Sequence, residues 1–127
     1  MTTILLAEDE ANQRLLYQME LEDEGYHVVL ASDGREALQT AREAHPDLLV
    51  LDLKMPGMDT IEILERMRTM SPQLPVIIHS AYEGSRSDFL TWVVDAYVTK
   101  SSDPDALKEA INQVLSERKQ EMRAPQI

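Results

Sequence analysis

The sequence contains no cysteine, which excludes disulfides, thiolate zinc sites and cysteine nucleophiles and fits a cytoplasmic protein. No stretch approaches the about 18 consecutive apolar residues of a membrane-spanning helix, so no membrane insertion is expected. The chain start meets an acid directly after Ile4-Leu5-Leu6-Ala7 and has no basic stretch before it, so a secretory leader is not expected either. Basic residues are scarce: 12 lysines and arginines face 23 aspartates and glutamates, for a formal net charge of −11. Such a chain is repelled by nucleic acid phosphate and by anionic lipid. Direct nucleic acid partners are therefore not expected. No linker and no low-complexity segment interrupts the chain.

What is present is enough for one domain. The chain has 127 residues, 43% of them apolar, near the common size of a fold with one core. The spacing predicts a domain over residues 1–120, with 121–127 as a polar tail or the start of a linker. Ile4-Leu5-Leu6-Ala7 reads as a buried strand. Ala11 to Glu24 carries Leu15, Leu16, Met19 and Glu20 at helical spacing, and Gly25 stands where a helix-ending glycine belongs. His27 to Ala31 is a second strand. The turn Ser32-Asp33-Gly34 leads into a helix that turns Ala37, Leu38 and Ala41 inward and stops at Pro46. Leu48-Leu49-Val50-Leu51, apolar on both faces, reads as a central strand of a parallel sheet and ends at Asp52. Pro56-Gly57 marks a loop. Asp59-Thr60 opens a helix with Ile61, Leu64 and Met67 or Arg68 on successive turns. Pro75 to Ser80 is a fourth strand, Ser87 to Val94 a weakly signalled fourth helix, and Ala96 to Thr99 a fifth strand. Asp103 and Pro104 start the last helix, with Leu107, Ile111, Val114 and Leu115 as its apolar stripe.

Five repeats of strand then helix argue for a doubly wound α/β fold with a parallel sheet and helices on both faces. In such folds the functional groups collect at the carboxyl ends of the strands. Here those ends deliver Glu8 and Asp9, then Asp52, then Ser80, then Lys100. Three carboxylates in one pocket repel one another unless a cation compensates. Mg2+, with its preference for oxygen ligands, is the natural partner. A cation and a lysine are also what an incoming phosphoryl group needs, and one carboxylate can then act as nucleophile. Asp52, at the end of the central strand, is the candidate.

Four segments carry a resemblance to a known family: Ile4 to Glu10, Leu49 to Asp59, Pro75 to Ala81 and Ala96 to Lys100. Together they resemble the response regulator receiver domain of two-component systems, over residues 3 to about 117. The resemblance implies a flavodoxin-like five-stranded sheet in the order 2-1-3-4-5. It implies that Asp52 is the phosphoacceptor, loaded from the phosphohistidine of a sensor histidine kinase or a histidine phosphotransfer protein. Asp9, Asp52 and the backbone carbonyl of Lys54 would bind Mg2+, and Glu8 would hold it through water. Ser80 and Lys100 would contact the phosphoryl oxygens. Tyr97 would turn inward as Ser80 moves, changing the face built from the fourth predicted helix, the fifth strand and the last helix. Lys54 and Tyr82, each two residues beyond a site residue, would shield the acyl phosphate and lengthen its lifetime. Such a protein is no enzyme beyond its own phosphorylation and dephosphorylation. It passes its state to a downstream protein, and a homodimer through the switching face is open.

Three positions depart from the family pattern. Ser101 replaces the proline that usually follows the lysine in a cis peptide, so the peptide is either trans in a rearranged loop or strained. The segment before the fifth strand is unusually apolar, with Phe89, Leu90, Trp92, Val93 and Val94. Thr60 replaces a common glycine, which is tolerated unless the backbone there needs positive φ. The histidines His27, His45 and His79 are read as structural, and Trp92 as packing. The first two departures motivate an alternative, a non-phosphorylated interaction module on the same fold. A Mg-dependent aspartyl phosphatase is disfavoured because Lys54 stands where a second acid is expected. A flavin-binding role is disfavoured because the first strand runs into acids rather than a phosphate-cradling loop.

Overall fold

The computed structural model describes residues 1–55, 57–81, 94–101 and 103–123. Tyr82, Trp92 and nearly all of the predicted helix Ser87 to Val94 lie outside these described residues. The elements run β1 (Thr3–Ala7), α1 (Ala11–Asp23), β2 (His27–Ala31), α2 (Gly34–Ala44), β3 (Leu48–Leu51), α3 (Thr60–Met70), β4 (Val76–Ser80), β5 (Ala96–Thr99) and α4 (Asp105–Arg123). The five strands form one parallel sheet in the order β2-β1-β3-β4-β5.

Parallel strands joined by crossovers are covered on both faces, so both faces must be apolar. The short strand β3 meets that demand with four leucine and valine side chains, all buried. Leu5, Ala7, Leu49, Leu51 and Ile78 face one core layer with Ala37 and Ala41 of α2 and Ile63, Leu64 and Met67 of α3. Ile4, Leu6, Leu48, Val50 and Ile77 face the other, with Tyr17 and Leu21 of α1 and Leu107, Ile111 and Val114 of α4. Each fully buried leucine or isoleucine contributes roughly 1.5–3 kcal/mol.

Local signals set the helix ends. Gly25 has φ +95°, and the N–H groups of Gly25 and Tyr26 donate to the carbonyls of Glu22 and Leu21 at 2.9 and 3.3 Å. That pair of bonds closes α1 with a left-handed glycine. Asp33 caps α2 by accepting from the Glu36 N–H at 2.8 Å. At the other end of α2 the chain turns through His45, the only non-glycine residue with positive φ among the described residues.

One helix is rotated from its expected face, and a second keeps Leu64 and Met67 buried as expected but departs at one position. The apolar spacing of α1 suggested Leu15, Leu16 and Met19 as its packed side, yet these are 55%, 53% and 60% exposed while Tyr17 and Leu21 are buried. The helix instead turns Gln13, Tyr17 and Leu21, spaced by four, toward the sheet, with Tyr17 and Leu21 packed in the core. In α3, Ile61 is exposed and Ile63 buried, since Ile63 packs against α2 at Gly34.

Candidate functional site

Strand register brings the four strand ends to one edge. Ala7 is level with Ala31 and Leu51, and Ser80 with Thr99. The ladder continues one step further: the Asp52 N–H donates to the Ala7 carbonyl and the Glu8 N–H to the Ala31 carbonyl, both at 3.0 Å. Glu8 and Asp52 are thus still held by sheet hydrogen bonds. Side chains alternate along a strand. Glu8 therefore shares its face with Leu6, Asp52 with Val50 and Lys100 with Val98, all on the α1 side. Ser80 and Tyr97 fall by the same alternation on the α2 and α3 side, where Tyr97 packs half-buried against the core.

The outcome is a compact polar cluster. The Lys100 ammonium donates to a Glu8 carboxylate oxygen, to Gln13 Oε1 at 2.7 Å and to Asp52 Oδ2 at 3.1 Å. Asp52 Oδ1 accepts from the Lys54 N–H at 3.2 Å, and Glu8 Oε2 from the Glu10 N–H at 3.1 Å. Glu8 and Asp52 are buried while Asp9 is exposed, and the three present carboxylate oxygens within 4.8 Å of one another. This all-oxygen donor set fits a hard divalent cation such as Mg2+. Ser80 is buried at the same edge, and its carbonyl accepts the Lys100 N–H at 2.7 Å. The Lys54 side chain is exposed.

Electrostatics follow from this geometry. Burial pushes the Glu8 carboxyl above its ordinary range, and the nearby Asp52 charge adds to that, against the opposing bonds from Lys100 and the Glu10 N–H. Burial works against the Lys100 ammonium, but Glu8 and Asp52 outweigh it and its pKa is raised. Lys100 therefore stays charged and is the cation that balances the two buried acids. Beneath them, His79 is buried and meets Tyr17 edge-on at 4.7 Å between ring centroids. Burial first, then the Lys100 charge, lowers its pKa to about 4. His79 is thus a neutral core residue at pH 7, as its structural reading required.

Two of the departures, at Ser101 and Thr60, also resolve. No peptide among the described residues is cis, so the Lys100–Ser101 bond is trans, and Lys100 nonetheless reaches both acids. Thr60 begins α3 without positive φ, and its hydroxyl donates to the Leu53 carbonyl at 2.8 Å, bracing the loop after Asp52.

Over residues 4–112 the chain matches the response regulator receiver domain. The chain belongs to this family. Among curated receiver-containing relatives, it is 35% identical over 124 residues to the alkaline phosphatase synthesis transcriptional regulatory protein PhoP of Bacillus subtilis, covering 96% of this chain and 51% of that protein. It therefore spans about half the length of that relative. It is 34% identical to sporulation initiation phosphotransferase F of Bacillus subtilis, over 88% of this chain and 92% of the other. Among solved receiver structures, response regulator protein TrrA from Thermotoga maritima, in complex with Mg2+-BeF, superposes with a TM-score of 0.83 at 38% identity, covering 90% of this chain and 99% of that one. The complex of histidine kinase ThkA with TrrA gives a TM-score of 0.82 at 38% identity, over 91% and 99% of the two chains.

Sequence reasoning missed three contributors to this receiver site. Gln13 accepts from Lys100. Arg14 donates to the carbonyls of Glu8 and Asp9 at 2.9 and 3.3 Å, holding the acidic turn. Glu10 caps α1 through the N–H groups of Asn12 and Gln13 at 3.2 and 2.7 Å. The cap was legible as an acid preceding a helix. The partners of Gln13 and Arg14 were not, since nothing local selects which carbonyl or ammonium a first-turn side chain will meet.

Proposed function

We propose that Asp52 is the phosphoacceptor of this receiver and takes its phosphoryl group from a partner's phosphohistidine. The observation that carries the proposal is the Lys100 ammonium held against the Asp52 and Glu8 carboxylates inside a cluster of three acids. In the transfer a carboxylate oxygen of Asp52 attacks phosphorus, the P–N bond to the donor imidazole breaks, and the imidazole leaves with that electron pair. Bound Mg2+ supplies positive charge that neutralises phosphoryl oxygens. Asp9, Asp52 and the Lys54 carbonyl would hold it, with Glu8 acting through water. Lys100 turns from the Asp52 carboxylate to a phosphoryl oxygen. Ser80 donates its hydroxyl to another, and Tyr97 follows inward, reshaping the face that includes β5 and α4. Lys54 and Tyr82, each two residues beyond a site residue in the sequence, slow hydrolysis of the acyl phosphate. No separate substrate is turned over, because the chemistry takes place on the chain's own aspartate.

The partners are a sensor histidine kinase or phosphotransfer protein on the donor side and a downstream protein on the output side, with a homodimer through the switching face as one form of output. Exposed Leu15, Leu16 and Met19 on α1, the helix that also supplies Gln13 to the site, favour α1 as the docking surface for the donor. Among the described residues no helix is long and apolar enough to cross a membrane. The family favours a cytoplasmic setting, and its match over residues 4–112 supports a receiver unit over residues 1–120.

The test is intact-mass analysis after incubation with Mg2+ and acetyl phosphate, beside an Asp52→Ala control. One phosphoryl group gained by the parent and none by the control is the expected result. No gain where Mg2+ demonstrably binds would favour a non-phosphorylated interaction module instead.

A further inference from the structure

We infer that Gln13 is the positioning residue for Lys100, holding the ammonium in place while its two carboxylate partners are redirected by phosphoryl transfer; this rests on the phosphoacceptor reading above. A lysine ammonium has three N–H donors and no acceptor. Here each has one partner: Glu8, Gln13 Oε1 and Asp52 Oδ2. The three are not equivalent. Asp52 surrenders an anionic oxygen when it becomes an acyl phosphate, and Glu8 is one of the acids that would hold a bound cation. Gln13 is neutral, belongs to no acidic cluster and undergoes no change in the reaction. Its hydrogen bond to Lys100 is the one that persists.

Gln13 is itself firmly held. It lies in the first turn of α1, and its backbone N–H donates to Glu10 Oε2 at 2.7 Å. Arg14, the next residue, ties the same turn to the Glu8 and Asp9 carbonyls. Lys100 by contrast stands just past the end of β5, in a trans peptide with Ser101 rather than a proline. A long flexible stem at a strand end loses rotamer freedom only where its tip is anchored. A neutral amide oxygen is suited to that anchoring, because it fixes the ammonium without cancelling the charge that the phosphoryl oxygens require. The contact also joins residues 87 positions apart, so the rotation of α1 noted above has a functional reason. It aims Gln13, and not Leu16, at the site.

The experiment compares the parent with Gln13→Leu and Gln13→Glu. Two readouts are used: the rate of phosphoryl gain from acetyl phosphate at saturating Mg2+, and the Lys100 ammonium resonance in a low-temperature 1H–15N spectrum. Gln13→Leu is expected to phosphorylate about tenfold more slowly, the equivalent of one lost hydrogen bond to a charged group, and to lose the slowly exchanging Lys100 signal. Gln13→Glu keeps an acceptor and is expected to keep the signal. In a Lys100→Ala background, Gln13→Leu is expected to change the rate no further. An additional tenfold fall there would assign the effect to helix packing and overturn the inference. So would a Gln13→Leu chain with the parent's rate and the parent's Lys100 signal. If Gln13→Leu fails to fold, Gln13→Ala, a favourable helix substitution, is measured in its place. A parent that gains no phosphoryl group overturns the phosphoacceptor reading, and the Lys100 resonance in the variants then decides the positioning contact separately.

Discussion

His79 gives the chain an acid-sensitive component of stability whose size follows from its surroundings. Its imidazole is buried between the sheet and Tyr17, near Lys100, and its pKa is lowered from 6.5 to about 4. Between those values the unfolded chain binds the proton and the folded chain does not, so acid favours unfolding. The stabilisation from the neutral imidazole is complete above pH 6.5, is lost as the pH falls, and is exhausted near pH 4. At about 1.4 kcal/mol per tenfold change in proton affinity, the full effect is about 3 kcal/mol, of which about 2 kcal/mol is lost by pH 5. Glu8 acts in the opposite direction in the acid range, because its raised pKa makes proton uptake favour the folded state. The measurement must therefore isolate His79. Urea unfolding of the parent and of His79→Gln at pH 7.5, 6 and 5 does so. Whatever the substitution costs at pH 7.5, the gap between the two chains is expected to shift by about 2 kcal/mol in favour of His79→Gln by pH 5. Parallel pH profiles, or a His79 ring resonance that titrates near pH 6.5 in the folded protein, would refute the reasoning.

Lys100→Met removes the cation between Glu8 and Asp52, and at pH 7 is expected to lower stability by about 3 kcal/mol. Because Glu8 is then pushed further up, the loss is expected to shrink between pH 8 and pH 5, which chemical denaturation at the two pH values would check. Gly34→Ala would set a methyl group 2.8 Å from Ile63 Cδ1 and 3.0 Å from Met58 Cβ. With Ile63 fully buried, a cost of about 1–3 kcal/mol is expected, read as a lowered urea midpoint. For the phosphorylated chain, alanine at both Lys54 and Tyr82 is expected to speed loss of the phosphoryl group several-fold, followed by intact mass after removal of the phosphodonor; an unchanged decay would remove the shielding role.

Much of the architecture is local and therefore legible in the chain itself. The apolar runs at Ile4 to Ala7 and Leu48 to Leu51 declare buried strands because both faces of a parallel sheet must be covered. Asp33 and Gly25 declare helix ends because each satisfies a backbone requirement within a few residues. With strand ends known, the convergence of Glu8, Asp9, Asp52, Ser80 and Lys100 on one edge follows from topology, and the family motifs follow from those same residues.

The remainder depended on contacts between distant parts of the chain. Leu15, Leu16 and Met19 have helical spacing as convincing as that of Gln13, Tyr17 and Leu21, and hydrophobicity alone prefers the first set. In the fold Tyr17 and Leu21 are the buried pair, Gln13 meets Lys100 and Tyr17 meets His79, pairings that no window of local sequence contains. The exchange of Ile61 for Ile63 has the same origin in the packing of α3 on Gly34. The sequence by itself determined which elements form and which functional groups their ends carry, since both depend on neighbours along the chain. Only the tertiary structure decided how each helix is rotated and which group holds Lys100, since a helix's rotation is set by the surface against which it packs.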